Sequence, residues 1–321
     1  MSCMENITRC DFAYARIRHL LFSAADVLVT EKSIRYMCRH KVLLGLVRRT
    51  IALSLRNGKL RKITKLSSNR FWLDEKFQKD MMRVMKWPLR VSGKTVGITY
   101  KGANLRFVYN SNVQLANTRY LLVRQFIDGK YADVDVKGRQ VLDIGASVGD
   151  TAIFFVLNGA KKVYAYEPFP YSYEIAKRNI RINHMEGMIE LFNEGCGGHS
   201  GYVKIPAEEE NYLGSDLKKW EKGRKIRIKT LKQIVAENGI RHGVLKMNCE
   251  GCEYDIILNT DAATLRRFDI IRISYHYGYL NLVEKLRRDG FTVAYSRPRY
   301  FLSEEKEKQD MYSGHIFAYL K

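Results

Sequence analysis

What the chain lacks narrows its chemistry first. It has no long apolar run. The longest are short, as at residues 42–47 (Val-Leu-Leu-Gly-Leu-Val), far below the roughly 20 residues a membrane-spanning helix needs. No secretory leader is expected either, because Glu5 and Asp11 intervene before any apolar stretch, and a soluble, cytoplasmic protein is the expectation. Cysteine is sparse and scattered. Cys3, Cys10, Cys38 and Cys196 form no framework, and Cys249 and Cys252 are the one close pair. A C-x-x-C pair suggests redox or zinc chemistry, but no second pair completes a metal set, so no metal is expected and a reducing compartment fits best. Acid is also in deficit, with 34 Asp and Glu against 55 Lys and Arg and a net charge of +21.

That charge is unevenly placed. Residues 1–66 hold fourteen Lys or Arg against four Asp or Glu, and a second basic run spans Lys218 to Lys232. Such fields favour RNA or another polyanion, lipid headgroups or anionic small substrates. No RNA-binding signature accompanies the charge, and a solvated basic face is the plain alternative. The apolar content of 46% is ample for a core.

The informative stretch is Val141-Leu-Asp-Ile-Gly-Ala-Ser-Val-Gly-Asp150. It reads as a strand ending at a carboxylate, a glycine-bearing turn and a helix start. Residues 151–157 supply the helix, 161–166 a second strand, and Glu167 an acid at its end. Such a unit holds an adenosine-containing ligand at the carboxyl edge of a parallel sheet. The spacing Asp143-x-Gly145-x-x-x-Gly149 is not G-x-G-x-x-G, and Asp143 would repel a pyrophosphate while suiting an amino group. S-adenosyl-L-methionine, with an amino group, a sulfonium charge and a ribose, is the expected cofactor. Asp150 or Thr151 is expected to cap the helix.

From residue 139 the alternation is regular. Strands are expected at 140–144, 162–166, 188–192, 244–247 and 270–273, with helices at 150–158, 171–182, 231–238, from 255, and 280–288. Residues 202–205 and 225–228 read as an inserted hairpin or edge pair, and 291–295 with 315–320 as a closing antiparallel pair. The fold class is therefore α/β, a doubly wound and mostly parallel seven-stranded sheet of Rossmann-like type, over residues 126–321. Residues 1–125 read as a basic helical region, with amphipathic helices over 12–56, a mixed stretch at 69–90 and a small hairpin at 96–109. A short helix is expected at 120–127.

Four stretches together resemble the FkbM-type methyltransferases, a branch of the class I fold. They are residues 141–151, Tyr164-Ala-Tyr-Glu-Pro168, Ala176-Lys-Arg-Asn-Ile180 with Asn183, and Leu245-Lys-Met-Asn-Cys-Glu-Gly-Cys-Glu253. The resemblance covers roughly residues 120–321. It implies methyl transfer from S-adenosylmethionine, usually to a hydroxyl of a sugar or small metabolite. The family pattern Lys-x-Asp-x-Glu-Gly-x-Glu carries Asn248 here in place of the Asp. An amide can orient a substrate but cannot act as a general base.

The expected cofactor residues are Asp143, Gly145, Ala146, Ser147, Gly149, Asp150, Thr151, Glu167 and Pro168, with Asn193, Glu194 and Gly195 bordering the adenine. Asn248, Glu250 and His276 are the catalytic candidates. All three follow parallel strands, and His276 is taken as a base of near-neutral pKa. Tyr275, Tyr277 and Tyr279 wall a pocket or simply pack. RNA methylation, and a non-catalytic nucleic-acid-binding protein that keeps the cofactor fold, stand as alternatives.

Overall fold

The structure is a computed structural model describing residues 6–8, 11, 87, 89–206, 222–301 and 311–320. The amphipathic helices expected over 12–56, the mixed stretch 69–90 apart from residues 87, 89 and 90, and the start of the second basic run lie outside the described residues.

The core of the molecule is a sheet built from β4 (Gln140–Ile144), β5 (Lys162–Tyr166), β6 (Ile189–Phe192), β10 (Gly243–Met247), β11 (Phe268–Tyr275), β12 (Thr292–Tyr295) and β14 (Met311–Tyr319). Their order is β12-β14-β11-β10-β4-β5-β6. Only β14 runs against its neighbours, and the short β13 (Arg299–Phe301) pairs with its first residues. The doubly wound, mostly parallel reading therefore holds. The central strands are near-continuous apolar runs because helices cover both faces. Val141, Leu142, Val244 and Leu245 are all fully buried. Lys246 is the exception, a lysine in the middle of a buried strand.

Local chemistry explains the helices. α1 (Asn112–Leu122) starts at Ser111, whose hydroxyl accepts from the Gln114 amide. It begins eight residues earlier than the sequence pattern indicates and runs on through a π-turn at Val123–Ile127, so helical backbone is continuous across position 125. α2 (Asp150–Leu157) is capped by Gly149 in the left-handed conformation. Asp150 is its first residue rather than its cap. α3 (Pro170–Ile182) has proline at N1, where no amide is missed. α4 (Leu231–Glu237) carries a capping box between Thr230 and Gln233. α5 (Cys252–Asn259) begins three residues before the expected start, and α6 (Ala262–Leu265) and α7 (Leu280–Arg288) complete the set.

A meander of β1 (Arg90–Ser92), β2 (Thr95–Tyr100) and β3 (Ala103–Val108) packs on this core. Val96, Ile98, Leu105 and Phe107 alternate inward and share one apolar cluster with Phe126, Phe154 and Val141. Two asparagines of α3 fasten it. Asn179 is fully buried, its Oδ1 accepting from the Val108 amide at 2.7 Å and its Nδ2 donating to the Val148 carbonyl at 2.8 Å. Asn183 brackets Arg106 through both backbone groups. The inserted pair of the sequence reading is present as β8 (Gly201–Ile205) and β9 (Arg224–Thr230), joined by β7 (Gly195–Gly197) in a small second sheet. Ile7 enters the second apolar cluster, and Asn6 accepts from the Tyr279 and Asn281 amides.

Lys246 and Asp143 face each other in register on β10 and β4. Their ion pair is 2.6 Å long, with side chains 2% and 0% exposed. Removing one partner of such a pair leaves an uncompensated buried charge. Lys246→Met should cost about 3–5 kcal/mol in chemical denaturation, and adding Asp143→Leu should restore most of it. A cost below about 1 kcal/mol for Lys246→Met would show that the pair is not a structural joint.

Candidate functional site

The carboxyl ends of β4, β5, β10 and β11 open into one cavity of about 450 Å³. Its first wall is the turn after β4. Gly145, Ser147, Asp150 and Thr151 line it, while Ala146 and Gly149 sit behind as turn and cap. Gly145 has φ +78°, and a Cβ there would lie 2.2 Å from the Asn248 carbonyl oxygen, so the close approach of this turn to the loop after β10 requires glycine. Ser147 also takes a positive φ of 50°. Its amide donates to Glu167 Oε2 at 2.8 Å, while the Phe169 amide donates to Oε1 at 3.0 Å. Glu167 thus binds the two turns together and still lines the cavity with Pro168 and Phe169.

Burial dominates the acids of this wall. It pushes Asp150 up to about 6 and Glu167 up to about 7, the backbone donors only partly offsetting it for Glu167. Asp143 does not reach the cavity wall. Lys246 holds Asp143 Oδ1, donates also to the Gly145 carbonyl at 2.9 Å, and itself lines the cavity. Burial alone would lower the Lys246 pKa, but the Asp143 carboxylate holds it up. The carboxylate expected to meet the cofactor's amino group therefore acts through the lysine and the turn.

The residues after β6 divide their work. Gly195 and the buried Cys196 form cavity wall. Asn193 donates to the Glu167 and Pro168 carbonyls at 3.0 and 3.1 Å, and Glu194 pairs with Lys229 at 2.6 Å. Neither lines the cavity, so their expected place beside the adenine is corrected to a supporting one. A short polar side chain at the strand end satisfies the backbone of the neighbouring turn before it can reach a ligand.

The second wall comes from β10 and β11. Asn248, Glu250 and His276 all line it, as the topology requires. His276 is buried between two carboxylates, with Nδ1 at 2.7 Å from Glu253 Oε1 and Nε2 at 3.2 Å from Glu250 Oε2. Burial opposes its charge, but the two carboxylates outweigh it and lift its pKa well above 6.5. The two carboxylates thus favour the charged ring, donating from both nitrogens, over the near-neutral base expected at His276. Burial would raise Glu250, yet the His276 charge holds its carboxyl below the usual range. Glu250 is the more accessible member of the trio, with a side chain 23% exposed, and it sits at a positive φ of 56°. Tyr275 lines the cavity, whereas Tyr279 packs between Tyr275 and Tyr295.

Cys249 and Cys252 are joined in a disulfide, Cα atoms 5.6 Å apart, and both line the cavity. The expectation of a chain without disulfides is corrected, and the cysteine argument for a reducing compartment falls with it. Glu250 and Gly251, the latter at φ +116°, fold the tight turn that brings the two sulfurs together. Among the lining residues without a functional reading in the sequence are Lys246, Lys130, Arg299 and His315. The lysine within an otherwise apolar strand was the available signal for the first. Among the described residues no helix is long and apolar enough to cross a membrane, and no His, Cys, Asp and Glu group could hold a metal ion.

The first wall fits S-adenosylmethionine. Glu167 lines it with carboxylate oxygens to which ribose hydroxyls could donate, Gly145 clears the backbone, and the acids suit a cationic ligand. The raised carboxyls give two signed expectations. Each is protonated in the fold over a range where the unfolded chain is ionised, so ligand-free stability should fall as pH rises from about 4 through 7. Affinity for S-adenosylhomocysteine should rise over pH 5.5–7.5, by up to about tenfold per unit, and Glu167→Gln should flatten that rise and weaken binding. Calorimetry at four pH values checks this, and a flat wild-type profile would remove Glu167 from the ribose role. Thiol alkylation followed by mass spectrometry should leave Cys249 and Cys252 unmodified until a dithiol reductant is added. Modification without reductant would show the pair to be open.

No curated protein matches the chain. Solved structures similar to it include methyltransferase FkbM from Methylobacillus flagellatus, at 13% identity and TM-score 0.39, covering 64% of this chain and 54% of that one. TYW2 of Pyrococcus horikoshii, solved with MeSAdo, is 13% identical at TM-score 0.38, covering 72% and 74%. TrmK of M. capricolum, solved with S-adenosyl-homocysteine, is 14% identical at TM-score 0.39, covering 61% and 68%. This chain thus spans about half the length of the FkbM structure. The family model described as the Methyltransferase FkbM domain matches residues 143–310, just over half of the chain. The chain belongs to the FkbM methyltransferase domain family and is an S-adenosylmethionine-dependent methyltransferase.

Proposed function

We propose that the enzyme methylates a hydroxyl of a small sugar-like metabolite, with Glu250 as the residue that receives the proton. The observation carrying this reading is the facing of two walls across one cavity. The cofactor turn stands on one side and Asn248, Glu250 and His276 on the other. S-adenosylmethionine, when bound, supplies a methyl group already activated by its sulfonium.

The protein's share is alignment and proton handling. The amide of Asn248 orients the acceptor hydroxyl. The Glu250 carboxylate accepts its proton as the oxygen gains the methyl group. A carboxylate held below its usual pKa is a weak base, but the bond-forming step needs little assistance once donor and acceptor are aligned. His276 fixes the Glu250 rotamer, and Glu253, fully buried and accepting from the Gly251 amide at 2.9 Å, fixes His276. Asn248 in the place of an acid leaves Glu250 as the one lining carboxylate of this loop.

Glu250→Gln should lower kcat by at least about tenfold while leaving S-adenosylhomocysteine affinity within a few-fold, since the residue lies across the cavity from Glu167. Wild-type turnover in that variant would leave alignment as the sole catalytic device. Asn248→Asp reports on the acceptor. A gain in hydroxyl methylation marks position 248 as a second proton acceptor, and a loss marks the amide as a substrate contact.

A further inference from the structure

We infer that the acceptor carries a small oxyanion, a phosphate or a carboxylate, bound at the end of the cavity lined by the β12–β13 connection and β14. This deepens the proposed function and rests on it for the position of the methylated hydroxyl.

That end of the cavity is built by three converging pieces of chain. The π-turn and the loop after it bring Arg124 and Lys130. The connection from β12 into β13 brings Ser296, Arg297 and Arg299, and β14 brings Ser313, Gly314 and His315. Register locks the last two pieces to the catalytic strand. Ser274 of β11 faces His315 of β14, and Arg299 of β13 faces Ser313. The Ser296 amide donates to the His315 carbonyl at 2.9 Å.

Charge at this end has one sign. The carboxylates that line the cavity are Asp150 and Glu167, on the cofactor turn, and Glu250, engaged with His276. None comes from the connection or from β14. Of the cations, Arg124 is paired with Asp128 at 3.0 Å and Arg297 lies 3.5 Å from Asp11. Lys130 and Arg299 are half-buried and make no direct ion pair among the described residues, although the Lys130 charge also acts on Asp150 and Glu250. Half-buried cations with no carboxylate in contact favour an anionic ligand more strongly than fully solvated ones, because screening there is weaker.

The field has a witness in His315. Burial, and after it the charges of Arg272, Lys130, Arg299 and Arg124, push its pKa down to about 3. It is therefore a neutral ring at physiological pH, able to donate one hydrogen bond to an oxyanion without adding a charge. Its Nδ1 lies 3.4 Å from the Ser274 hydroxyl.

Register sets the placement. Arg299 faces Ser313, two residues before the His315 that faces Ser274, so Arg299 and His276 lie near the same level of the sheet. The anion and the methylated hydroxyl thus fit on the same small molecule, one at Lys130 and Arg299, the other at Glu250. A polynucleotide would have to thread its backbone into a cavity of about 450 Å³.

The test uses the full chain loaded with S-adenosylhomocysteine and titrated with inorganic phosphate. Saturable binding should appear and weaken at least tenfold in Lys130→Gln/Arg299→Gln. Retained S-adenosylhomocysteine binding in the double variant shows that it folds, and Arg299→Lys with native Lys130 should recover part of the affinity. Labelled-methyl transfer to neutral hexoses, hexose phosphates, hexuronates and RNA then separates the sources. Acceptance of hexose phosphates or hexuronates at least tenfold above neutral hexoses supports the inference and tells phosphate from carboxylate. Neutral hexoses methylated equally well, or RNA methylated while no monomer is, would overturn it. Phosphate binding that survives the double variant, or none in the wild type, would overturn it whatever the methyl-transfer result. Phosphate binding that depends on both residues, with no hydroxyl methylated, would uphold the anion site and sink the proposed hydroxyl transfer.

Discussion

The site depends on one buried ion pair. Lys246 and Asp143 meet in register between the two central strands, and the lysine's second bond, to the Gly145 carbonyl, fixes where the cofactor turn leaves the sheet. A charge pair in so dry a place costs desolvation on both sides, and its attraction repays that cost only with good geometry and further hydrogen bonds. The pair has both features on the lysine side. Asp143 Oδ2, by contrast, is buried with no partner, so a polar demand persists beside the cofactor turn. The stability of the two strand ends and the shape of the cavity are therefore one problem, solved by the same two side chains.

A second carboxylate system governs the opposite wall. Glu253, His276 and Glu250 form a chain in which every member is held by the next, from a fully buried acid to a partly exposed one. Its net charge is negative by one, and that charge emerges at Glu250, the cavity end of the chain. The disulfide between Cys249 and Cys252 brackets Glu250 from both sides. A residue at positive φ is held only when its surroundings over-determine it, and here the disulfide, the histidine and the start of α5 all do so. The loop that carries Glu250 is thus held from three directions.

The sheet was legible in the sequence because period and punctuation agreed. Apolar runs at 140–144 and 244–247, glycine turns after them and acids at strand ends mark parallel strands whichever residues surround them. Boundaries failed where a local pattern was overruled by packing. α1 starts at Asn112 because the Ser111 hydroxyl caps it, eight residues before the apolar pattern that marked a helix. β7 was read as loop because a three-residue strand has no period to detect, and its pairing partner β9 is some thirty residues away.

The same division runs through the site. The sequence by itself determined which residues stand at the carboxyl edge, since chain order and parallel pairing carry Gly145, Glu167, Asn248, Glu250 and His276 there together. It could not determine what each does, because roles depend on the nearest neighbour in space. Asp143 looked like a ligand for an amino group and is spent on Lys246, 103 positions away in the chain. His276 looked like a near-neutral base and is held towards its charged form by two acids, one in the loop after β10 and one in α5. Lys130, Arg299 and His315 carried no motif at all. Only the folding of β13 and β14 back onto β11 gathers them at one end of the cavity, and a field made of charges distant in sequence has no signature until the chain has closed around it.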